Sequence, residues 1–254
     1  MTAATTPIDR HALFLDFDGT LVEIVDRPDA VAVAPEVPGT LERLSRALGG
    51  ALAIVSGRPI TFLDAKLAPF AGDAAGLHGV ERRLAGVLHP CRPEEHPELR
   101  RGIAALHEAL DPVANVIIED KGCSVAVHWR MAPAEEGRAK GLVDDLAARL
   151  GADYRIQHGK MVAEILPALS GKGPIIARFM EEAPYAGRTP VFIGDDLTDE
   201  NGFATVNRLG GVAVRIGDGA TCARHRLPSV QALYATLSRW ADAGGVDFTD
   251  VPPA

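Results

Sequence analysis

The chain has 254 residues, 47 % hydrophobic and 24 % charged, with a formal net charge of −8. That length holds one large α/β domain or a core with a smaller second domain, and the composition excludes wholesale disorder. The acidic balance, with no basic run beyond pairs such as Arg82-Arg83 and Arg100-Arg101, excludes a nucleic-acid partner, and no uncharged apolar run approaches the ~18 residues of a membrane span.

The Thr/Ala-rich N-terminus lacks a basic segment followed by an apolar one, so neither secretion nor a membrane partner is expected. Ala12 to Phe17 is a buried-strand run, Pro38 to Leu48 has helical spacing, Ala51 to Val55 is a second strand and Pro59 to Leu67 a second helix. That alternation predicts parallel strands with crossover helices. The middle changes character. Leu99, Ile103, Leu106 and Leu110 mark a helix, and Val113 to Ile118 and Ser124 to Trp129 read as strands around an Asp120-Lys121-Gly122 turn. A helix through Leu142, Leu146 and Leu150 ends at Gly151, and Tyr154 to Gln157 and Met161 to Leu166 follow as strands, giving αββαββ. Alternation then resumes: a helix from Lys172 to Glu182, a strand at Val191 to Ile193, a helix near Glu200, a strand at Val212 to Val214 and a helix from Ser229 to Trp240. The expected fold is α/β, a Rossmann-like core with a parallel sheet and helices on both faces. Residues 1–84 and 167–243 form the core, 85–166 an inserted cap, and 244–254 a loose Gly/Pro-bearing tail. Cys91, Cys123 and Cys222 are an odd, widely spaced set without a C-x-x-C pair, which predicts reduced thiols in a cytoplasmic protein.

Chemistry concentrates at Asp16-Phe17-Asp18-Gly19-Thr20-Leu21, where the first strand runs out. Side chains alternate along a strand, so Asp16 and Asp18 are expected on one side. Open α/β sheets bind ligands at such carboxyl ends, where Gly19 and Thr20 can offer backbone N–H groups to an anion. Alone, this run is equally a strand-ending turn with solvated acids. A second acidic cluster, Gly194-Asp195-Asp196-Leu197-Thr198-Asp199-Glu200, also follows a short apolar strand. Two unit charges about 4 Å apart interact by roughly 4 kcal/mol at an effective dielectric near 20, so acids that converge need a positive charge among them. Oxygen-only ligands without clustered His or Cys favour Mg²⁺ over zinc.

These runs, with Ser56-Gly57-Arg58 after the second strand and Lys172 in Ser170-Gly171-Lys172-Gly173, resemble in order the four motifs of the haloacid dehalogenase superfamily, from about Leu13 to Val214. The resemblance implies that Asp16 is a nucleophile forming an aspartyl-phosphate, and that Asp18 is the acid for the leaving hydroxyl and then the base for water. Ser56 and Lys172 would hold the phosphoryl group. Mg²⁺ would be bound by Asp16, the Asp18 backbone carbonyl and Asp195, with Asp196 and Asp199 in or next to the metal shell. A P-loop reading of the lysine segment fails, because the residue after Lys172 is Gly173 and position 167 is Pro167.

The αββαββ segment resembles the cap of sugar-phosphate phosphatases of that superfamily. Glu119-Asp120-Lys121-Gly122, His128-Trp129-Arg130 and His158-Gly159-Lys160-Met161-Val162-Ala163-Glu164 are similar to the trehalose-6-phosphate phosphatase family, as is Gly76-Leu77-His78-Gly79 in the core. Strand periodicity groups Lys160, Val162 and Glu164 on one face and His128 and Arg130 on another. A mixed lining of Glu119, Lys121, Arg130, Lys160 and Glu164 suits a sugar phosphate with many hydroxyls. Gly57, Arg58 and His78 complete the candidate binding residues; a strand-end arginine and a core histidine are their plain alternatives. A sucrose-phosphate or mannosyl-phosphoglycerate phosphatase, a phosphomutase and a non-catalytic sugar-phosphate-binding module stay open at this point.

Overall fold

The computed structural model describes residues 10–25, 31–243, 248 and 251–254, and the backbone of 6–7 and 245–246. In chain order the elements are β1 (Thr6–Pro7), β2 (His11–Leu15), α1 (Val37–Ala47), β3 (Leu52–Val55), α2 (Ile60–Leu67), β4 (Asp73–Gly76), β5 (Glu81–Leu84) and β6 (Val87–His89). The middle holds α3 (Pro97–Leu110), β7 (Ile117–Asp120), β8 (Val125–His128), α4 (Glu136–Leu150), β9 (Tyr154–Gly159) and β10 (Val162–Pro167). Then come α5 (Lys172–Met180), β11 (Thr189–Gly194), α6 (Glu200–Arg208), β12 (Val212–Ile216), β13 (His225–Leu227), α7 (Val230–Ala243) and β14 (Gly245–Val246). The chain divides into two compact units, Met1–His89 with Gly171–Ala254, and Pro90–Ser170.

The first unit is built on an eight-stranded sheet of order β13-β12-β11-β2-β3-β4-β5-β6. From β13 to β4 all pairs are parallel, while β5 and β6 add antiparallel strands at one edge, so the sheet is mixed rather than purely parallel. Every residue of β2 is buried because strands flank it on both sides and side chains cover both faces, which is why it reads as a continuous apolar run. Phe14 on β2 packs 5.8 Å from Phe179 of α5 and 5.4 Å from Tyr185, ring centre to ring centre. Each such buried side chain stabilises the fold by about 1.5–3 kcal/mol. β4, β5 and β13 escape sequence reading for a physical reason. Asp73-Ala74-Ala75-Gly76 lacks branched side chains and Glu81-Arg82-Arg83-Leu84 is mostly charged, so neither carries the usual strand composition. Because β6 is hydrogen-bonded to β5, the first unit runs on to His89, past the boundary expected after residue 84.

The second unit is a four-stranded antiparallel sheet of order β7-β8-β10-β9 with α3 and α4, connected as αββαββ. Leu99, Ile103, Leu106 and Leu110 of α3 and Ala139, Val143 and Leu146 of α4 pack with Val125, Val127, Ala163 and Ile165 from one sheet face. β7 begins at Ile117, later than the Val113 expected, because residues 111–116 are spent on the turn that leaves α3.

Two expectations are corrected. Cys91 and Cys123 are joined in a disulfide across 32 residues, and Cys222 is free and exposed. An odd count of distant cysteines gave no hint, since the pairing depends on a turn between β7 and β8 reaching the start of the second unit. The tail is not loose where it is described: Val251 is buried, Arg226 N–H donates to Pro252 O (2.8 Å) and Ala254 N–H to Arg224 O (3.1 Å), beside the free edge of β13. Residues 244, 247, 249 and 250 lie outside the described residues. Deleting residues 251–254 removes one buried valine and these edge bonds, and should lower unfolding free energy by roughly 3 kcal/mol. Urea denaturation checks this as a lower midpoint with an unchanged slope.

Candidate active site

The site begins where β2 and β11 run side by side. Asp16 N–H donates to Ile193 O (3.0 Å), so the ladder carries the chain one residue past β2 before it turns. β2 pairs with β3 on one side and β11 on the other, the point in an open α/β sheet where the connections diverge and a crevice opens. The turn closes on itself: Gly19 N–H donates to Val22 O (2.8 Å), and Thr20 N–H to Phe17 O at a longer 3.3 Å. Those two amides, expected to face an anion, are therefore engaged within the loop. Gly19 has φ +80°, and a Cβ there would stand 2.1 Å from Asp195 Oδ2, so only glycine fits.

Lys172, the first residue of α5, sends its buried ammonium between two carboxylates, 2.6 Å from Asp16 Oδ1 and 2.5 Å from Asp199 Oδ1. Asp199 Oδ2 accepts from the N–H groups of Asp195 (2.9 Å) and Asp196 (2.8 Å), and Asp196 in turn accepts from Leu197 N–H (2.6 Å) as a capping residue. The hydroxyl of Thr20, fully buried, lies 3.4 Å from Asp16 Oδ2 and 3.3 Å from Asp195 Oδ1. One hydroxyl proton cannot serve both acceptors at once, and both contacts are long. Carboxylate oxygens of Asp16, Asp195 and Asp199 come within 4.8 Å of one another. Three carboxylates against one ammonium leave two formal negative charges uncompensated, which is the charge a hard divalent cation supplies. The titration behaviour agrees. Burial raises the Asp16 carboxyl well above its ordinary range, against the opposing pull of Lys172. Burial and the charge of Asp199 push Asp195 up to about 6. Burial alone would lower the pKa of Lys172, but the carboxylates of Asp16 and Asp199 outweigh it and hold the ammonium protonated.

Asp18 is not part of that cluster. Its carboxylate accepts a two-pronged bond from Arg58, Nε to Oδ2 and Nη2 to Oδ1, both 2.8 Å, and the guanidinium also stacks 4.8 Å from the centre of the Phe62 ring. Asp16 and Asp18 lie past Leu15, where regular strand geometry stops, so their placement is set by the loop rather than by strand alternation. Ser56 is buried at the end of β3, and its Oγ accepts from Arg58 N–H (3.1 Å), leaving the hydroxyl proton available to an anion. His78 and Leu77 both adopt left-handed backbone, at φ 57° and 50°, an arrangement that costs of order 1–3 kcal/mol per residue and clusters at functional loops. That turn lets His78 N–H reach Ser56 O (3.0 Å), His78 O accept from Gly171 N–H (2.6 Å), and the imidazole lie over Gly57, where a Cβ would be 2.7 Å from the ring.

Within the second unit the polar residues sit on the sheet face opposite α3 and α4. Glu119, Ala126, Glu164 and Gln157 are in register across β7, β8, β10 and β9. Lys121, in the β7–β8 turn, lies 3.2 Å from Glu164 Oε1 and 3.8 Å from Glu119 Oε2. Ser124 Oγ donates to Glu164 Oε1 (3.1 Å), and His128 Nε2 lies 3.1 Å from Glu119 Oε2. Ser124 was not singled out by sequence; its period-two spacing with Ala126 and His128 was the available signal. Arg130 and Lys160 do not share this cluster. Both lie in turns past the strand ends, exposed, so the strand alternation that grouped Lys160 with Glu164 and Arg130 with His128 does not apply to them.

The trehalose-phosphatase family model matches residues 14–230. A probable trehalose-phosphate phosphatase of Sinorhizobium fredii is 45 % identical over 244 residues, spanning 95 % of this chain and 91 % of that one. The trehalose-6-phosphate phosphatase of Escherichia coli is 43 % identical over 230 residues, 90 % of this chain and 85 % of that one. The chain belongs to the trehalose-phosphatase family. Among solved structures, a trehalose-6-phosphate phosphatase related protein superposes with a TM-score of 0.75 at 21 % identity, covering 91 % of this chain and 97 % of that one. The C-terminal domain of the Candida albicans enzyme gives 0.73 at 21 %, covering 92 % and 93 %. At these identities the structural neighbours establish the fold of this family member, an α/β core with a second unit of helices and antiparallel strands. No helix among the described residues is long and apolar enough to cross a membrane.

The acid cluster makes a pH prediction for the metal-free protein. Asp195 binds its proton more tightly folded than unfolded, so its contribution to stability is full below a carboxylate's ordinary pKa near 4 and is lost as pH rises through about 6. In chelator, the melting temperature should rise by a few degrees between pH 8 and pH 5, and Asp195→Asn should flatten that slope. Scanning calorimetry of both proteins checks it.

Proposed function

We propose that the chain is a Mg²⁺-dependent phosphatase acting on trehalose 6-phosphate through an aspartyl-phosphate on Asp16. The observation that carries the reading is the buried Lys172 bridging Asp16 and Asp199, with Asp195 and Thr20 alongside, in a chain 43 % identical to the E. coli enzyme. Asp16 and Asp195, with the Asp18 backbone carbonyl, would hold Mg²⁺, which when bound supplies charge to offset the phosphate dianion. Asp199 spends its oxygens on Lys172 and two backbone amides, so it works as support.

In the first half-reaction an Asp16 oxygen attacks phosphorus, the bond to the sugar oxygen breaks, and that oxygen takes a proton from Asp18. In the second, water attacks phosphorus, Asp18 takes its proton, and the bond to Asp16 breaks, releasing phosphate. Lys172 and the Ser56 hydroxyl hold the phosphoryl oxygens throughout. Arg58 engages Asp18 as a carboxylate. The incoming phosphate dianion competes for that guanidinium, so Arg58 can pass from Asp18 to the phosphate.

The sugar is read by the polar face of the second unit. Glu164, Lys121 and Glu119 offer both donors and acceptors to a polyhydroxyl ligand, and Arg130 and Lys160 at the strand ends add exposed cations. Gly57, Arg58 and His78 would line the phosphate end beside the Thr20 hydroxyl, the Gly19 and Thr20 amides being spent within their own loop. A charged phosphate ester does not cross a bilayer unaided, so an enzyme for a phosphorylated sugar belongs where that sugar is made, the cytoplasm.

Phosphate release from trehalose 6-phosphate, sucrose 6-phosphate, mannosyl-3-phosphoglycerate and glucose 6-phosphate, with and without chelator, tests the reading. Trehalose 6-phosphate should lead, chelator should abolish turnover, and Mg²⁺ should restore it; equal rates across the panel, or rates indifferent to chelator, would overturn it. Asp16→Asn should lower kcat by roughly 10⁴-fold or more while ligand still binds by calorimetry. Glu164→Gln should raise KM for the preferred sugar phosphate about tenfold and leave p-nitrophenyl phosphate hydrolysis unchanged, as expected for a charge-assisted hydrogen bond to the sugar.

A further inference from the structure

The Cys91–Cys123 disulfide stands at a position the phosphatase chemistry does not explain. Residues 121–124 connect β7 to β8, and the disulfide clamps the middle of that connection to a residue 32 positions earlier. Cys91 Sγ lies 3.9 Å from the Lys121 carbonyl oxygen and packs against Gly122, where a Cβ would be 3.1 Å from the sulfur. The clamped turn is short and cross-braced: Lys121 N–H donates to Ser124 O (3.0 Å), Cys123 N–H to Lys121 O (3.1 Å), and Gly122 has φ +83°. Its two ends deliver two donors to one acceptor, since Lys121 Nζ and Ser124 Oγ stand 3.2 and 3.1 Å from Glu164 Oε1. The disulfide therefore holds in place the segment that organises Glu164.

Burial divides the two cysteines. Cys123 is fully buried, and Cys91 is half-buried, so attack comes at Cys91. Disulfides are rare in reducing compartments, and those found there are mostly exchanging ones. From the geometry we infer that Cys91–Cys123 is a thiol-exchange site whose oxidised form orders the Lys121–Ser124 turn and tightens sugar-phosphate binding, an inference that rests on Lys121 and Glu164 being sugar contacts. The co-reactant is a dithiol. One of its thiolates attacks Cys91 Sγ, the sulfur–sulfur bond breaks, and Cys123 leaves as a thiolate that takes a proton. The second dithiol sulfur, as thiolate, then displaces Cys91, which is protonated in turn. The dithiol becomes a disulfide, and two electrons and two protons have passed to the protein. The Asp120–Arg100 ion pair and the β7–β8 ladder do not involve the disulfide, so reduction should loosen the turn without loss of the sheet.

The experiment compares the full chain air-oxidised, reduced with dithiothreitol, and as Cys91→Ser. Alkylation followed by intact mass should count one reactive thiol, Cys222, in the oxidised protein and three after reduction. KM for the preferred sugar phosphate should rise roughly fivefold on reduction and in Cys91→Ser, the cost of ordering freed side chains on binding. Turnover of p-nitrophenyl phosphate should stay within a factor of two, which separates a loosened turn from an unfolded protein. Three alkylated thiols in the oxidised preparation, or a KM indifferent to reduction, would overturn the inference. Should the oxidised protein hydrolyse p-nitrophenyl phosphate but no sugar phosphate, the substrate reading fails. Amide hydrogen exchange at residues 121–124 then decides the clamp alone: faster exchange on reduction upholds it and unchanged exchange rejects it.

Discussion

One buried ammonium organises the catalytic unit. Lys172 is held between Asp16 at the end of β2 and Asp199 at the start of α6, and Asp199 fixes the backbone of Asp195 and Asp196 at the end of β11. Three segments distant in sequence are thereby pinned at one point. Removing one partner of a buried ion pair typically costs 3–5 kcal/mol, because the other charge is stranded away from water. Here the stranded charges would be carboxylates already crowded together, so the lysine is as much a condition of the fold at this point as of its chemistry.

That arrangement carries two formal negative charges in excess, and the imbalance is informative. A structural ion-pair network tends toward balance, whereas a site poised for a cation and a phosphate keeps acids whose protons are bound abnormally tightly, as burial makes them at Asp16 and Asp195. Neutral Thr20 sits between the two acids with one hydroxyl proton for both. The second unit is built on the opposite plan. Its acids, Glu119 and Glu164, are each held by polar neighbours, Lys121, Ser124 and His128, rather than crowded against one another.

The disulfide joins these themes. It acts on no charge in either site, yet it constrains the turn from which Lys121 and Ser124 reach Glu164. A covalent link at that place holds the turn to the start of the second unit, independently of the hydrogen bonds within the turn.

How much of this was readable beforehand follows from the range of each interaction. Continuous apolar runs disclosed β2 and β3, period-3.6 patterns disclosed α3 and α4, and the acids after two apolar strands pointed to Asp16, Asp195 and the need for a cation, because each is written in residues adjacent along the chain. Strands without apolar patterning, such as Asp73–Gly76, were not readable, since their pairing comes from neighbours rather than composition. The grip of Arg58 on Asp18, the hydroxyl of Thr20 beside Asp195 across 175 residues, the Cys91–Cys123 bond, and the tail against β13 were likewise decided only in three dimensions. The sequence by itself determined which residues carry charge and which runs must be buried. Tertiary structure decided which charges meet, because the energy of an ion pair or a hydrogen bond depends on distances of a few ångströms that separation along the chain does not encode.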